Sequence, residues 1–223
     1  MTRIPRNKNP QDTRDKILDA AAKVFIEKGY EAATILDIVA EMAGLTRGAF
    51  YHHFKSKEEV FSALSDKIFE ERNVFEMASK QEGLNGFQKL QLAIKLNLQD
   101  FDDEYRPLRM AGVAILNSPH FLAEHLFSNA AACKKYIQPL IEEGVADGSM
   151  QVANPRLAAE LLVLLFSVWI PPIIYVGDDA YMEEKADMAI ALLEHIGLKI
   201  FDEEFEKIGT QMLSNFSELR DGK

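Results

Sequence analysis

Residues 34–57, TILDIVAEMAGLTRGAFYHHFKSK, decide the fold. Thr34 carries a hydroxyl that caps the amides of a following turn, and Asp37 stands three residues on in the capping-box position. Leu36, Val39, Ala40 and Ala43 recur at helical spacing. Gly44 follows, the residue type that accepts the left-handed conformation ending a helix. Leu45 is an apolar plug, and Thr46 caps a second helix running from Arg47 to about Phe54. Two capped helices joined at a glycine make a helix-turn-helix.

The second helix has two unlike faces. Phe50 and Phe54, four apart, need a core, whereas Arg47, Gly48, Tyr51 and His52 lie opposite. Gly48 and Ala49 are small enough for the first turn to press against a partner surface. Arg47 supplies the planar fork that pairs with guanine in a major groove. Tyr51, His52, His53, Lys55 and Lys57 add donors for phosphate oxygens, which fix position without carrying sequence information. The two caps, Thr34 and Thr46, complete the candidate DNA-binding set. A plain surface helix with half-buried aromatics is the structural alternative.

Thr34, Ala40, Ala43-Gly44, Thr46-Arg47-Gly48-Ala49, Tyr51, His53-Phe54 and Lys57 resemble the signature of the TetR family of bacterial transcriptional regulators. The wording is most similar to the AcrR-like, multidrug-efflux branch. Thr13-Arg14, Ile17-Leu18, Ala21-Ala22, Phe25 and Gly29-Tyr30 extend the similarity over roughly residues 11–71. Ile38 departs from it, standing where the family usually carries an acidic residue. The resemblance implies an all-α fold of nine or ten helices. A three-helix DNA-binding domain, 11–71, would follow a flexible basic arm, 1–10, and precede an effector-binding and dimerisation domain, 72–223.

Charge is distributed as such a reader requires. The chain of 223 residues carries a net −10, which disfavours an indiscriminate nucleic-acid binder. Residues 1–57 hold ten Lys/Arg against seven Asp/Glu, a net +3, and the remainder hold 15 against 28, a net −13. A positive head on an acidic body orients itself over DNA and limits non-specific adhesion. The longest apolar run, Leu161 to Val176, is interrupted by Pro171-Pro172, and the N-terminus lacks an apolar secretory stretch. Cys133 stands alone, so neither an intrachain disulfide nor a thiolate metal cluster is expected. The expected location is the cytoplasm, with no membrane partner.

The basic arm MTRIPRNKNPQ offers Arg3, Arg6 and Lys8 to phosphates or a minor groove. A first helix is predicted from Asp12 to Lys28, with Ile17, Ala21 and Phe25 inward. Ser56 caps a fourth, whose Val60, Phe61, Leu64, Ile68 and Phe75 carry it to about Ser79 as a lever from head to body. Helices then follow from Phe87 to Phe101, from Pro107 to Asn117, and from Pro119 to Asp147 with a kink at Pro139. The eighth, opened by Asn154-Pro155, and the ninth, Asp179 to Phe201, are apolar nearly all round, through Leu157, Leu161, Leu164 and Val168 on one and Met188, Leu192 and Ile196 on the other. A helix without a polar face must be covered on every side. The resemblance implies that these two form a four-helix bundle across a two-fold axis, the homodimer interface. A last amphipathic helix runs from Phe205 through Met212 and Phe216 to Leu219.

The resemblance gives the body a reason, a small-molecule effector pocket. Candidate walls are Phe101, Met110, Val113, Ala114, Asn117, Phe121, Tyr136, Phe166 and Trp169. Met, Phe and Trp beside an amide suit a permissive pocket, and acidic Asp100, Asp103 and Glu124 would favour cationic ligands. No phosphate loop, nucleophile or metal cluster appears, so neither an enzyme nor a cofactor is expected. The partners expected are a palindromic double-stranded DNA operator and a hydrophobic or cationic effector that releases a repressor, with an efflux system as a candidate target. The alternative is a DNA-bound adaptor whose body binds a protein.

Overall fold

Among the residues that this computed structural model describes, 10–99, 119–171, 174–205 and 207–209, every regular element is helical. No described helix is long and apolar enough to cross a membrane. The fold is all-α, with a helix-turn-helix domain followed by a helical C-terminal domain. It divides into two compact units, one reaching Arg72 and the other starting at Asn73. The basic residues expected of the arm, Arg3, Arg6 and Lys8, lie outside the described residues, and Pro10 already opens the first helix.

The first unit holds α1 (Pro10–Lys28), α2 (Ile35–Glu41), α3 (Arg47–His53) and α4 (Lys57–Glu71). Ile17, Leu18, Ala21 and Phe25 of α1 are wholly buried beneath Ile38, Phe50 and Val60 of the other three helices. The rings of Phe25, Tyr30 and Phe61 meet in a triad with centroids 5.1–5.8 Å apart. Gly29 and Gly44 take φ of 73° and 77°, the left-handed geometry that lets the chain leave α1 and α2 abruptly.

The face that α2 buries is not the expected one. Ile38 and Met42 are buried, while Leu36 is 62% exposed and Ala40 and Ala43 are also outside. Two stripes on α2 satisfy helical spacing, and the larger side chains take the core. Ion pairs fix this rotation: Lys28 holds Asp37 at 2.6 Å and Lys23 holds Glu41 at 2.8 Å. Ile38 is therefore a core residue and does not make the exposed face less polar.

A second correction concerns the lever. Helix α4 ends at Glu71, and Asn73 caps a separate helix, α5 (Val74–Ser79), accepting 3.0 Å from the Glu76 amide. Asn73 with Glu76 three residues on is a start signal inside the predicted helix; the unbroken apolar spacing from Ile68 to Phe75 conceals it.

The second unit continues with α6 (Gly86–Gln99), α7 (Pro119–Ala132), α8 (Gln138–Ala146), α9 (Pro155–Leu164) and α10 (Asp179–His195). The helix predicted from Pro107 to Asn117 lies outside the described residues, as do Met212, Phe216 and Leu219; 203–205 and 207–209 are helical. The expected kink at Pro139 takes the form of a π turn, Cys133–Ile137, that joins α7 to α8. A second π turn, Leu165–Trp169, extends α9. Each ends two residues before a proline, Pro139 or Pro171. A proline in a regular helix lacks the N–H for the carbonyl four residues back and its ring strikes that carbonyl; widening the preceding turn moves the carbonyl aside. The ninth predicted helix stops at His195, not Phe201, because Gly197 turns left-handed at φ 99° with the Gln151 carbonyl where a Cβ would stand.

The α8–α9 turn caps α6 across the unit. Asp147 accepts 2.7 Å from the Gly86 amide and the Ser149 hydroxyl accepts 3.2 Å from Phe87, while Asn85 caps Gln88 locally at 2.9 Å. The Gly86 amide is the main reason the Asp147 carboxyl titrates below its usual range. Gly86 also crosses α8 at Gly144, where an added Cβ would lie 2.1 Å from the Gly144 nitrogen. Gly86→Ala is expected to cost about 1–3 kcal/mol of stability by overpacking, read as a lower urea midpoint with unchanged m-value.

Candidate nucleic-acid interface

Helix α3 is seven residues long and its rotation is fixed by its two phenylalanines. Phe50 and Phe54 are buried with ring centroids 6.2 Å apart, and the Thr46 hydroxyl caps the helix by accepting 3.2 Å from the Ala49 amide. Arg47, Gly48, Tyr51 and His52 consequently form an exposed outer strip, continued by Lys55. Within that strip the Arg47 guanidinium donates 3.4 Å to the Tyr51 hydroxyl and lies 5.4 Å from its ring, so the two hold each other upright. Gly48 has no positive φ, and an added Cβ would meet only the Thr46 hydroxyl at 3.6 Å. Nothing within the chain requires glycine there. An outside surface approaching the helix would.

The remaining candidates divide by what already occupies them. Thr34 is the cap of α2: its hydroxyl accepts 3.2 Å from the Asp37 amide and donates 2.7 Å to the Asp37 carboxylate. His53 is half-buried; burial, then the charges of His52 and Arg14, hold its pKa below the usual histidine range. It is largely neutral at pH 7, a weaker phosphate partner than its residue type suggests. Ala49 is half-buried and lies at the edge of the strip.

Lys57 departs furthest from its expected role. Its ammonium donates 2.7 Å to the Tyr30 carbonyl and 3.0 Å to that of Ala33, with Glu31 at 3.5 Å, and sits 4.1 Å from the centre of the Tyr30 ring. All three donors are directed at the turn between α1 and α2. The geometry makes Lys57 a tie between α4 and that turn. Arg14, to which the sequence attaches no contact, stacks 5.5 Å over Phe54 beside His53. No spacing rule joins positions 14 and 54.

Four of the nine expected effector walls fall among the described residues. Phe101, Met110, Val113, Ala114 and Asn117 lie outside the described residues, as do Asp100 and Asp103. Tyr136 stacks on Phe75 at 6.4 Å, Phe166 lies parallel to Phe201 at 5.6 Å, and Trp169 stands 5.5 Å from the Lys185 ammonium. Phe121 sits at the start of α7, its ring 5.3 Å from His120. A cleft of about 1060 Å³ near Met150, Leu161 and His195 and another of about 480 Å³ between α7 and α9 include none of these four.

Residues 17–64, which span all three helices of the motif, match the family model of bacterial regulatory proteins, tetR family. Over those residues the chain is of the TetR type. The regulator TtgR of Pseudomonas putida is 40% identical over 93 residues, 42% of this chain and 43% of its own length; the chain thus matches less than half of that relative. YhgD of Bacillus subtilis, an uncharacterised HTH-type regulator, is 26% identical over 70% of this chain and 81% of its own. Among solved TetR-type structures, a regulator from Pectobacterium atrosepticum superposes with a TM-score of 0.60 at 24% identity, covering 85% of this chain and 94% of that one. SmeT in complex with triclosan gives 0.59 at 24% identity, over 86% and 95%. These likenesses carry the TetR fold through both units.

Two substitutions separate tie from reader in this TetR domain. Lys57→Ala is expected to lower stability by roughly 1–2 kcal/mol, the lower end for hydrogen bonds from a charged donor because the site is half-exposed. Lys55→Ala, on the exposed strip, should leave stability within about 0.5 kcal/mol; chemical denaturation of both checks the contrast. A pH series tests the α2 cap. The ion pair with Lys28, then the Thr34 bonds, lower the Asp37 carboxyl from its ordinary 3.8 to about 2. Its stabilisation is complete above 3.8 and lost as the pH falls through about 2. The Tm deficit of Asp37→Asn should therefore be present at pH 7 and vanish toward pH 2.

Proposed function

We propose that this TetR-family chain is a DNA-binding transcriptional repressor that acts as a homodimer and releases its operator on binding a small molecule. The observation that carries the reading is the outer strip of α3. A guanidinium braced by a tyrosine stands beside a glycine that the chain's own packing does not require. Such a strip fits a major groove, with Arg47 at a base edge and Tyr51, His52 and Lys55 at phosphates. Lys57 is left out of the phosphate set. Binding-site selection from random duplexes should return an inverted repeat. Arg47→Ala should weaken the selected duplex by about 1–3 kcal/mol and relax preference at one base pair per half-site, and Lys55→Ala should weaken all sequences alike and flatten the salt slope. Selection that returns no common sequence overturns the reading.

The dimer reading rests on α9 and α10. Both bury one stripe and leave another outside, with Leu157 59%, Leu164 52%, Met188 59% and Leu192 45% exposed. Paired across a two-fold axis, these stripes would cover one another. Light scattering of the parent at micromolar concentration is expected to give about twice the 25.2 kDa chain mass, and Leu164→Glu combined with Met188→Glu the chain mass itself.

Induction follows from linkage. SmeT is the repressor of a multidrug efflux pump and binds triclosan, which supports a small-molecule effector for this chain also. Coupling would run from α4 into α5 through the joint at Arg72 and Asn73. An effector releases DNA only through its differential affinity for the two states, and a near-complete switch needs about 5.5 kcal/mol of it. Operator must weaken effector binding by the same factor.

A further inference from the structure

We propose that the cleft between α7 and α9 binds a small amphipathic anion, a hydrocarbon or aromatic body bearing one carboxylate. As the effector class of this regulator, that ligand rests on the reading above; as a binding site, the cleft stands on its own geometry.

Two helical stripes face each other across it. Leu126, Ala130 and Cys133 come from α7 and its π turn, and Val163 from α9, giving apolar walls to a space of about 480 Å³. That volume lies within the range that takes drug-sized ligands. Both π turns border the cleft, at Cys133 and Lys134 on one side and Ser167 on the other. One fixed polar connection spans the two walls beside it. His125 Nε2 lies 3.2 Å from the Ser167 carbonyl and 2.8 Å from the Asn129 amide. Pro171 has no N–H to offer that carbonyl within the helix, which leaves it to the histidine.

Charge at the rim selects the head group. The cleft holds Lys134, Arg156 and Glu160. Arg156 Nε donates 2.9 Å to Glu160, an exposed pair one helical turn apart. Lys134 is exposed and makes no ion pair among the described residues. Three lysines of this unit are paired, Lys80 with Glu76, Lys89 with Glu143, and Lys95 with Asp202 and Glu204. On a body with a net −13 after residue 57, this cleft is lined by two cations and one carboxylate. A carboxylate gains charge-assisted hydrogen bonds there; a quaternary ammonium meets like charge.

The test uses three probes with one tail below micellar concentration: octanoate, octanol and octyltrimethylammonium, titrated calorimetrically at fixed ionic strength into the full chain. Octanoate is expected to bind about tenfold or more tightly than the cation, and Lys134→Glu to remove most of that preference. The chain's single cysteine reports position, since Cys133 lines the cleft. Saturating octanoate should slow its alkylation by N-ethylmaleimide severalfold, and Val163→Trp, which fills the cleft, should abolish binding while Tm is retained. Equal or stronger binding of the cation, no heat with any probe, or unprotected Cys133 at saturation overturns the proposal. Duplex binding is measured separately without octanoate, so a failure there counts against the regulator and not the cleft.

Discussion

Phe50 has no exposed surface, and Phe54 one turn later is nearly as deep. With both rings committed, a seven-residue helix has no rotational freedom left. The direction of Arg47, Gly48, Tyr51 and His52 follows from that burial alone. The core they enter is held from behind by α1, whose Ile17, Leu18, Ala21 and Phe25 are fully excluded from water. Lys57 and the α1–α2 ion pairs hold the surrounding turns in place. The outer strip is thus the polar remainder of an apolar constraint.

That logic explains what was legible in the sequence. The caps at Thr34, Thr46 and Ser56, the left-handed glycines and the two buried phenylalanines are local signals, satisfied by neighbours within four residues. Local signals survive folding. The side of α2 that faces inward was not legible, because Leu36-Ala40-Ala43 and Ile38-Met42 both keep helical spacing. Only partners on α1, nine and eighteen residues away, decide between them. The tie made by Lys57 was not legible for the same reason, because its partners are the carbonyls of residues 30 and 33, more than twenty positions upstream.

The body was less legible still. A run that is apolar on every side reveals that something covers it, not which side faces its own core. Pro139 and Pro171 announced distortions, and widening by one residue is one of several ways to accommodate a proline. Phe121, Tyr136, Phe166 and Trp169 are ordinary pocket-forming types, yet three of them find separate aromatic or cationic neighbours in the second unit. The cleft between α7 and α9 instead draws on small and polar residues such as Ala130, Asn129 and Ser167, whose types carry little signal.

The cap that Asp147 and Ser149 place on α6 has a consequence for how the chain is made. The amides of Gly86 and Phe87 wait for partners 61 and 62 positions later. At ordinary rates of synthesis that interval is roughly 3–12 s. During it the first turn of α6 has only Asn85 to hold it, and the glycine crossing at Gly144 has not yet been made. The first unit, with α1 to α4 already synthesised, is free to fold meanwhile. The head can therefore fold on the ribosome before α6 receives its distant caps.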